Sequence, residues 1–313
     1  MSSELHQLTA TEASRRIRAG KLHPTALMQA CLARIAEREP TVRAFTWFDA
    51  RVAPQAAASA LPGPLHGLPL GVKDVLDTAD MPSEYGSPIW SGWRPRADAA
   101  AVAWARAAGA VVMGKTVTTE FATRKPGPTT NPANPDHTPG GSSSGSAAGV
   151  AAGFFPLAYG TQTAGSVIRP AAYCGVVGYK PSFGTISRIG MKVMSDSLDT
   201  VGVLARSVAD CALLSGAVSG RDLGDPEEKP PSAPRIGLCR SPSWHLAAPE
   251  TVALVERVAG SLARAGAAVC DRELPAAWNS AWAAARRNGW RRTRCSPRRS
   301  LRSRRRWRGW TCW

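Results

Sequence analysis

The chain has 313 residues, 44% of them hydrophobic, and 39 Lys and Arg against 23 Asp and Glu give a net charge of +16. This is apolar material enough for one large or two small globular domains, and no apolar run approaches the roughly 18 residues of a membrane helix. Twelve arginines fall in residues 286–313, which hold no Lys, Asp or Glu; residues 1–285 therefore carry only +4, which argues against a basic nucleic-acid face on the body of the chain.

In chain order, "TATEASRRIRAG" opens with a Thr cap and stops at Gly20, and His23-Pro24-Thr25 starts a second helix that Pro40 is expected to end. Residues 62–76 give a turn and a short apolar strand, "PLGVKDVL". "ADAAAVAWARAAGAVVMGKT" reads as a helix, a stop at Gly109 and a strand, and "SSGSAAGVAAGFFPLAYGTQT" again as helix then strand. "PRIGLCR" is a strand, and "PETVALVERVAGSLARAGAAVCD" is a capped helix, a stop at Gly266 and a strand. Residues 222–234 read as a solvated loop between two parts of one sheet. This alternation predicts an α/β protein with a mixed, largely parallel sheet covered by helices.

The last 28 residues, 286–313, hold four of the 11 tryptophans and follow neither a helical nor a strand period. Arg, Trp, Cys, Ser and Pro are what a GC-rich gene yields in a shifted frame, so the segment reads as an out-of-frame end, with a basic arm for nucleic acid or anionic lipid as the alternative. Either way no regular structure is expected there. The seven cysteines are scattered, odd in number and without CxxC spacing, as befits reduced thiols rather than a disulfide framework or metal site. "MSSELHQLTATEASRRIRAG" is polar where a signal peptide needs an apolar centre; the expected location is the cytoplasm.

Three polar elements interrupt the apolar pattern: Lys73 inside "PLGVKDVL", the stretch "PGGSSSGSAAGVAAG" at 139–153, and Ser166 after the small-residue turn of "GTQTAGS". Each alone has a plain structural explanation. A lysine near a strand end snorkels to solvent, a serine caps a helix, and small residues make turns. The five histidines, His6, His23, His66, His137 and His245, stand in no triad-like motif and read as structural.

Together with "GPLHGLPLGVKDVLDT", "GAVVMGKTVTTEFA", "YGTQTAGSVIRPAAYCGVVGYKPSFG" and "SLDTVGVLARSVADCALL", these elements resemble the amidase signature family, the Ser-cisSer-Lys amide hydrolases. The resemblance runs from about residue 5 to about 275 and is strongest over 64–211. It implies a mixed sheet with helices on both faces. It also implies Lys73 as base, Ser142 as a relay reached through a cis peptide bond, Ser166 as nucleophile, and an oxyanion hole from the backbone N–H groups of Thr163, Ala164, Gly165 and Ser166. Arg169 takes a supporting role. Lysine serves as a base only when neutral, which requires burial; Asp74 would oppose this if it pointed inward.

Gln162 stands where the common family loop has Asp, and Ala164 where it has Gly. The expected organisation is one amidase domain over 1–285, incomplete at its C-terminal end, followed by the 286–313 tail. The expected reaction is hydrolysis of a small-molecule carboxylic amide to acid and ammonia or amine, with no cofactor, no metal, no nucleic-acid or membrane partner for the domain, and an open oligomeric state. The competing readings are the glutaminase subunit of a tRNA-dependent amidotransferase, and an inactive truncated product or basic-tailed binder. Tyr85 and Trp90, in the loop "MPSEYGSPIW", are candidates for contact with an apolar acyl group or for mere packing.

Overall fold

Thr9 accepts the Glu12 N–H and caps α1 (Ala10–Arg18), and His23 with Pro24 starts α2 (Pro24–Val42). A computed structural model of the chain describes residues 4–228, 232–241 and 243–273; the expected tail over 286–313 lies outside the described residues. Pro40 does not end α2, which runs two residues further to a left-handed Arg43. The Glu39 carboxylate accepts the N–H groups of Ala44 and Phe45, both at 2.9 Å, so side-chain oxygens shape the exit after the proline.

The chain divides after residue 227 into two compact units. The first continues with β1 (Phe45–Phe48), α3 (Ala53–Ala58), β2 (Pro69–Lys73), α4 (Ala100–Ala107), β3 (Val111–Thr116), α5 (Ser144–Ala152), β4 (Leu157–Gln162), α6 (Ile168–Cys174), β5 (Val177–Tyr179), β6 (Thr200–Ala205) and α7 (Val208–Ser219). Its six strands run in the order β1-β3-β2-β4-β6-β5. The sheet is mixed: β3, β2 and β4 are parallel at its centre, and β1, β6 and β5 pair antiparallel. Every residue of β2, β3, β4 and β6 is buried. Successive strand side chains point to opposite faces, so both faces of these strands are covered. Helix α5 packs on β2, β3, β4 and β6, and α7 on β4, β5 and β6. Leu70, Val72, Phe154, Phe155, Tyr159 and Val203 are fully enclosed in this core.

The second unit contains β7 (Arg235–Leu238), α8 (Pro249–Arg264) and β8 (Ala268–Asp271). Strands β7 and β8 pair in parallel in a sheet of their own. Among the described residues this two-stranded sheet is separate from the six-stranded one, which corrects the expectation that both belong to one sheet.

Lys73, Thr116 and Gln162 are the last residues of β2, β3 and β4. The polar elements singled out in the sequence therefore gather at the C-terminal ends of the three parallel strands, the common place for a site in an open α/β sheet.

Candidate active site

The Ser-Gly stretch is built into the core, and each serine has a partner. Ser143 Oγ accepts the Thr161 N–H at 3.2 Å and donates to the Thr161 carbonyl at 3.4 Å. Ser144 Oγ donates to Val117 O at 3.2 Å. Ser146 Oγ donates to Tyr159 O at 2.8 Å and accepts from Thr116 Oγ1 at 2.7 Å. Small residues make this approach possible: a Cβ on Gly145 would fall on Ala44 O and Val117 N, and one on Gly160 would lie 2.8 Å from Ser143 Oγ. Burying four serines without partners would be costly; here they fasten the start of α5 to the ends of β3 and β4.

The peptide bond between Gly141 and Ser142 is cis. Ser142 is 2% exposed, and its Oγ lies 2.7 Å from Lys73 Nζ. The same Nζ donates to Thr161 Oγ1 at 2.9 Å and Thr161 O at 3.4 Å. Lys73 is fully buried and has no carboxylate partner in this set, so the lysine does not snorkel. Burial lowers its pKa from 10.5 to about 7, with the nearby Asp199 carboxylate acting in the opposite direction.

Asp74 has a partner other than Lys73. It forms a buried ion pair with Lys115 at 2.9 Å and accepts the Glu84 N–H at 3.1 Å. Lys115 also donates to Ser83 Oγ and to Pro82 O. Burial raises Asp74 and lowers Lys115, and their mutual attraction opposes both shifts. The site thus contains two buried lysines in different states of compensation: Lys115 faces a carboxylate, Lys73 faces hydroxyls and a carbonyl.

Ser166 lies on the turn between β4 and α6 and is 8% exposed. Its carbonyl accepts the Ser143 N–H at 3.2 Å, so the backbone ties it to the residue after Ser142. Its hydroxyl has no hydrogen-bond partner among the described residues, and neither do the backbone N–H groups of Ala164, Gly165 and Ser166. Thr163 Oγ1 donates to Asp199 at 2.5 Å, and the other Asp199 oxygen accepts the N–H groups of Met194 and Ser195 at 2.7 and 2.8 Å. Gln162 Oε1 accepts the N–H groups of Val167 and Ile168 at 2.9 and 3.0 Å. Arg169 is exposed, and its N–H donates to Gly165 O at 2.9 Å.

The structure thus joins Lys73 and Ser142 through their side chains, and Ser166 to them through the backbone. Sequence reasoning missed Thr161, Asp199, Lys115 and the Asp74 pairing. Thr161 and Asp199 stand within the family-like motifs, but nothing local marks them as partners of Lys73 or Thr163. Tyr85 and Trp90 pack on each other at 5.3 Å between ring centroids, and Tyr85 OH donates to Asp77 at 2.8 Å, which ties the tyrosine into its own loop. Among the described residues no group of three or more His, Cys, Asp or Glu could hold a metal ion, and no helix is long and apolar enough to cross a membrane.

A mixed sheet with a buried lysine, a cis-linked serine and a small-residue turn defines a class whose relatives can be compared directly. The Amidase family matches residues 26–288, and the chain belongs to that family. It is 40% identical over 246 residues to a glutamyl-tRNA(Gln) amidotransferase subunit from Chloroflexus aurantiacus, covering 74% of this chain and 50% of that protein. It is 44% identical over 237 residues to the corresponding glutamyl-tRNA(Gln) amidotransferase subunit from Acidothermus cellulolyticus, covering 71% and 47%. Among solved structures, the peptide amidase from Stenotrophomonas maltophilia is 38% identical with a TM-score of 0.75, covering 88% of this chain and 64% of that one. A 6-aminohexanoate cyclic dimer hydrolase is 33% identical with a TM-score of 0.76, covering 86% and 61%. The chain spans about half the length of the curated relatives it matches.

Proposed function

We propose that this protein hydrolyses the C–N bond of a small carboxylic amide through an acyl-enzyme on Ser166. The observation that carries the reading is the 2.7 Å contact of a fully buried Lys73 with Ser142. A neutral lysine has two N–H groups and one lone pair. The two N–H groups can stay on Thr161 Oγ1 and Thr161 O while the lone pair accepts the Ser142 proton. A pKa near 7 leaves a useful fraction of the amine neutral at ordinary pH.

Lys73 takes the proton of Ser142, and Ser142 takes that of Ser166. Ser166 Oγ then attacks the amide carbon. The negative charge that develops on the carbonyl oxygen is met by the N–H groups of Thr163, Ala164, Gly165 and Ser166. Arg169 supports that loop. The proton returns along the same path to the departing nitrogen, the C–N bond breaks, and water attacking the ester carbonyl releases the acid and restores Ser166. The organisation proposed is one amidase domain over 1–285, and the location the cytoplasm.

A second reading is the glutaminase subunit of a tRNA-dependent amidotransferase, favoured by the names of the curated relatives. Ammonia or amine release from simple amides by the purified chain alone tests the first reading. Release that appears only with tRNA, ATP and partner subunits would replace it with the second.

A further inference from the structure

The last two residues of β4 divide the site between them. Thr161 holds Lys73 through its hydroxyl and carbonyl. Gln162 turns to the other component, and its Oε1 accepts the N–H groups of Val167 and Ile168, the two residues directly after Ser166. Two N–H donors aimed at one atom require an oxygen there, which fixes the orientation of the amide. Gln162 is 8% exposed and Val167 fully buried, so the Val167 N–H has no ready replacement in water, while Ile168 is itself 46% exposed. The side chain bridges the turn from its entry to its exit and closes it around Ser166.

We propose that Gln162 is a positioning residue that holds the Ser166 turn with a neutral acceptor, a choice that keeps a negative charge away from Lys73. This rests on the hydrolase reading above. A carboxylate at 162 could accept the same two N–H groups, so the hydrogen bonds alone do not call for an amide. Charge supplies the reason. The charged groups on the elements around Lys73 are already arranged to spare it: Asp74 beside it in the chain and Lys115 on β3 are paired with each other, the serines at the start of α5 are neutral, and Arg169 on α6 is exposed. Among the described residues Asp199, at the entry to β6, is the one carboxylate that acts on it. A second one, a residue away from the Thr161 contact, would favour the ammonium form, which cannot take a proton from Ser142.

Two variants separate holding from charge. Gln162→Met keeps the side-chain length and removes the acceptor. It is expected to lower kcat about 10- to 100-fold with KM changed less than about threefold, to leave the acid limb of the pH profile in place, and to speed hydrogen exchange at Val167 and Ile168. Gln162→Glu keeps the acceptor and adds the charge. It is expected to retain slow exchange at those amides and near-wild-type kcat at high pH, while the acid limb moves up by about one pH unit. Wild-type kcat together with wild-type exchange in Gln162→Met would overturn the positioning role. An unmoved limb in Gln162→Glu would overturn the charge argument, and that variant stays informative even if Gln162→Met folds poorly. A wild type that hydrolyses no amide would count against the hydrolase reading alone, because exchange at Val167 and Ile168 still decides whether Gln162 holds the turn.

Discussion

Replacing Lys73 by Met should make the protein more stable and inactive at once. Lys73 is fully buried, and lowering its pKa from 10.5 to about 7 means that the folded state disfavours its charge. At about 1.36 kcal/mol per unit this costs roughly 4 kcal/mol at pH 7. Met fills a similar volume without a charge, while the loss of hydrogen bonds to Ser142 and Thr161 offsets roughly 1–3 kcal/mol. The net gain expected for Lys73→Met at pH 7 is about 1–3 kcal/mol. Its pH dependence carries the stronger test. Between pH 7 and 10.5 the unfolded chain still binds a proton on Lys73 that the folded chain has released, so wild-type stability rises with pH across that window. The advantage of Lys73→Met should therefore shrink as pH rises, by up to about 1.4 kcal/mol per unit. Urea unfolding of both proteins at about pH 7, 8 and 9 reads this directly. A stability difference that does not vary with pH would refute the argument, because it would mean that Lys73 titrates alike in the folded and unfolded states.

Lys73→Arg should not restore hydrolysis, since guanidinium stays protonated at any working pH; a wild-type rate and pH profile would remove lysine as the base. Asp199→Asn should shift the acid limb of activity to lower pH, because the Asp199 charge raises the Lys73 pKa against the larger effect of burial; kinetics between about pH 5 and 9 would check the sign. Lys115→Met should destabilise the fold by roughly 3–5 kcal/mol through the unpaired Asp74 it leaves behind, and Lys115→Met with Asp74→Leu should recover much of that loss in urea unfolding.

The elements were legible where periodicity or punctuation was strong. The stops at Gly109 and Gly266 and the strand around Lys73 follow from pattern alone, and both glycines take a positive φ. Residues 200–205 and 208–214 stand out only as a family-like motif, although they form β6 and most of α7. Pro40 misled because it stands in the last helical turn, where it removes one backbone bond and the helix still closes through the Arg43 N–H on Glu39 O at 2.9 Å. The Ser-Gly stretch has a linker's composition, and only its partners on β3 and β4, distant in sequence, make it part of a core. The same holds for the site. Lys73, Ser142 and Ser166 stand out by motif, whereas the use of Thr161, Gln162 and Asp199 depends on which strand ends the sheet order brings together.

The most direct test of a Lys73-activated Ser166 is covalent trapping. A fluorophosphonate should form a single adduct, located by peptide mapping on Ser166, at a rate that rises with pH through about 7 and falls about 10²–10⁴-fold in Lys73→Ala. An adduct on any other serine, or labelling of Ser166 indifferent to the loss of Lys73, would contradict the account.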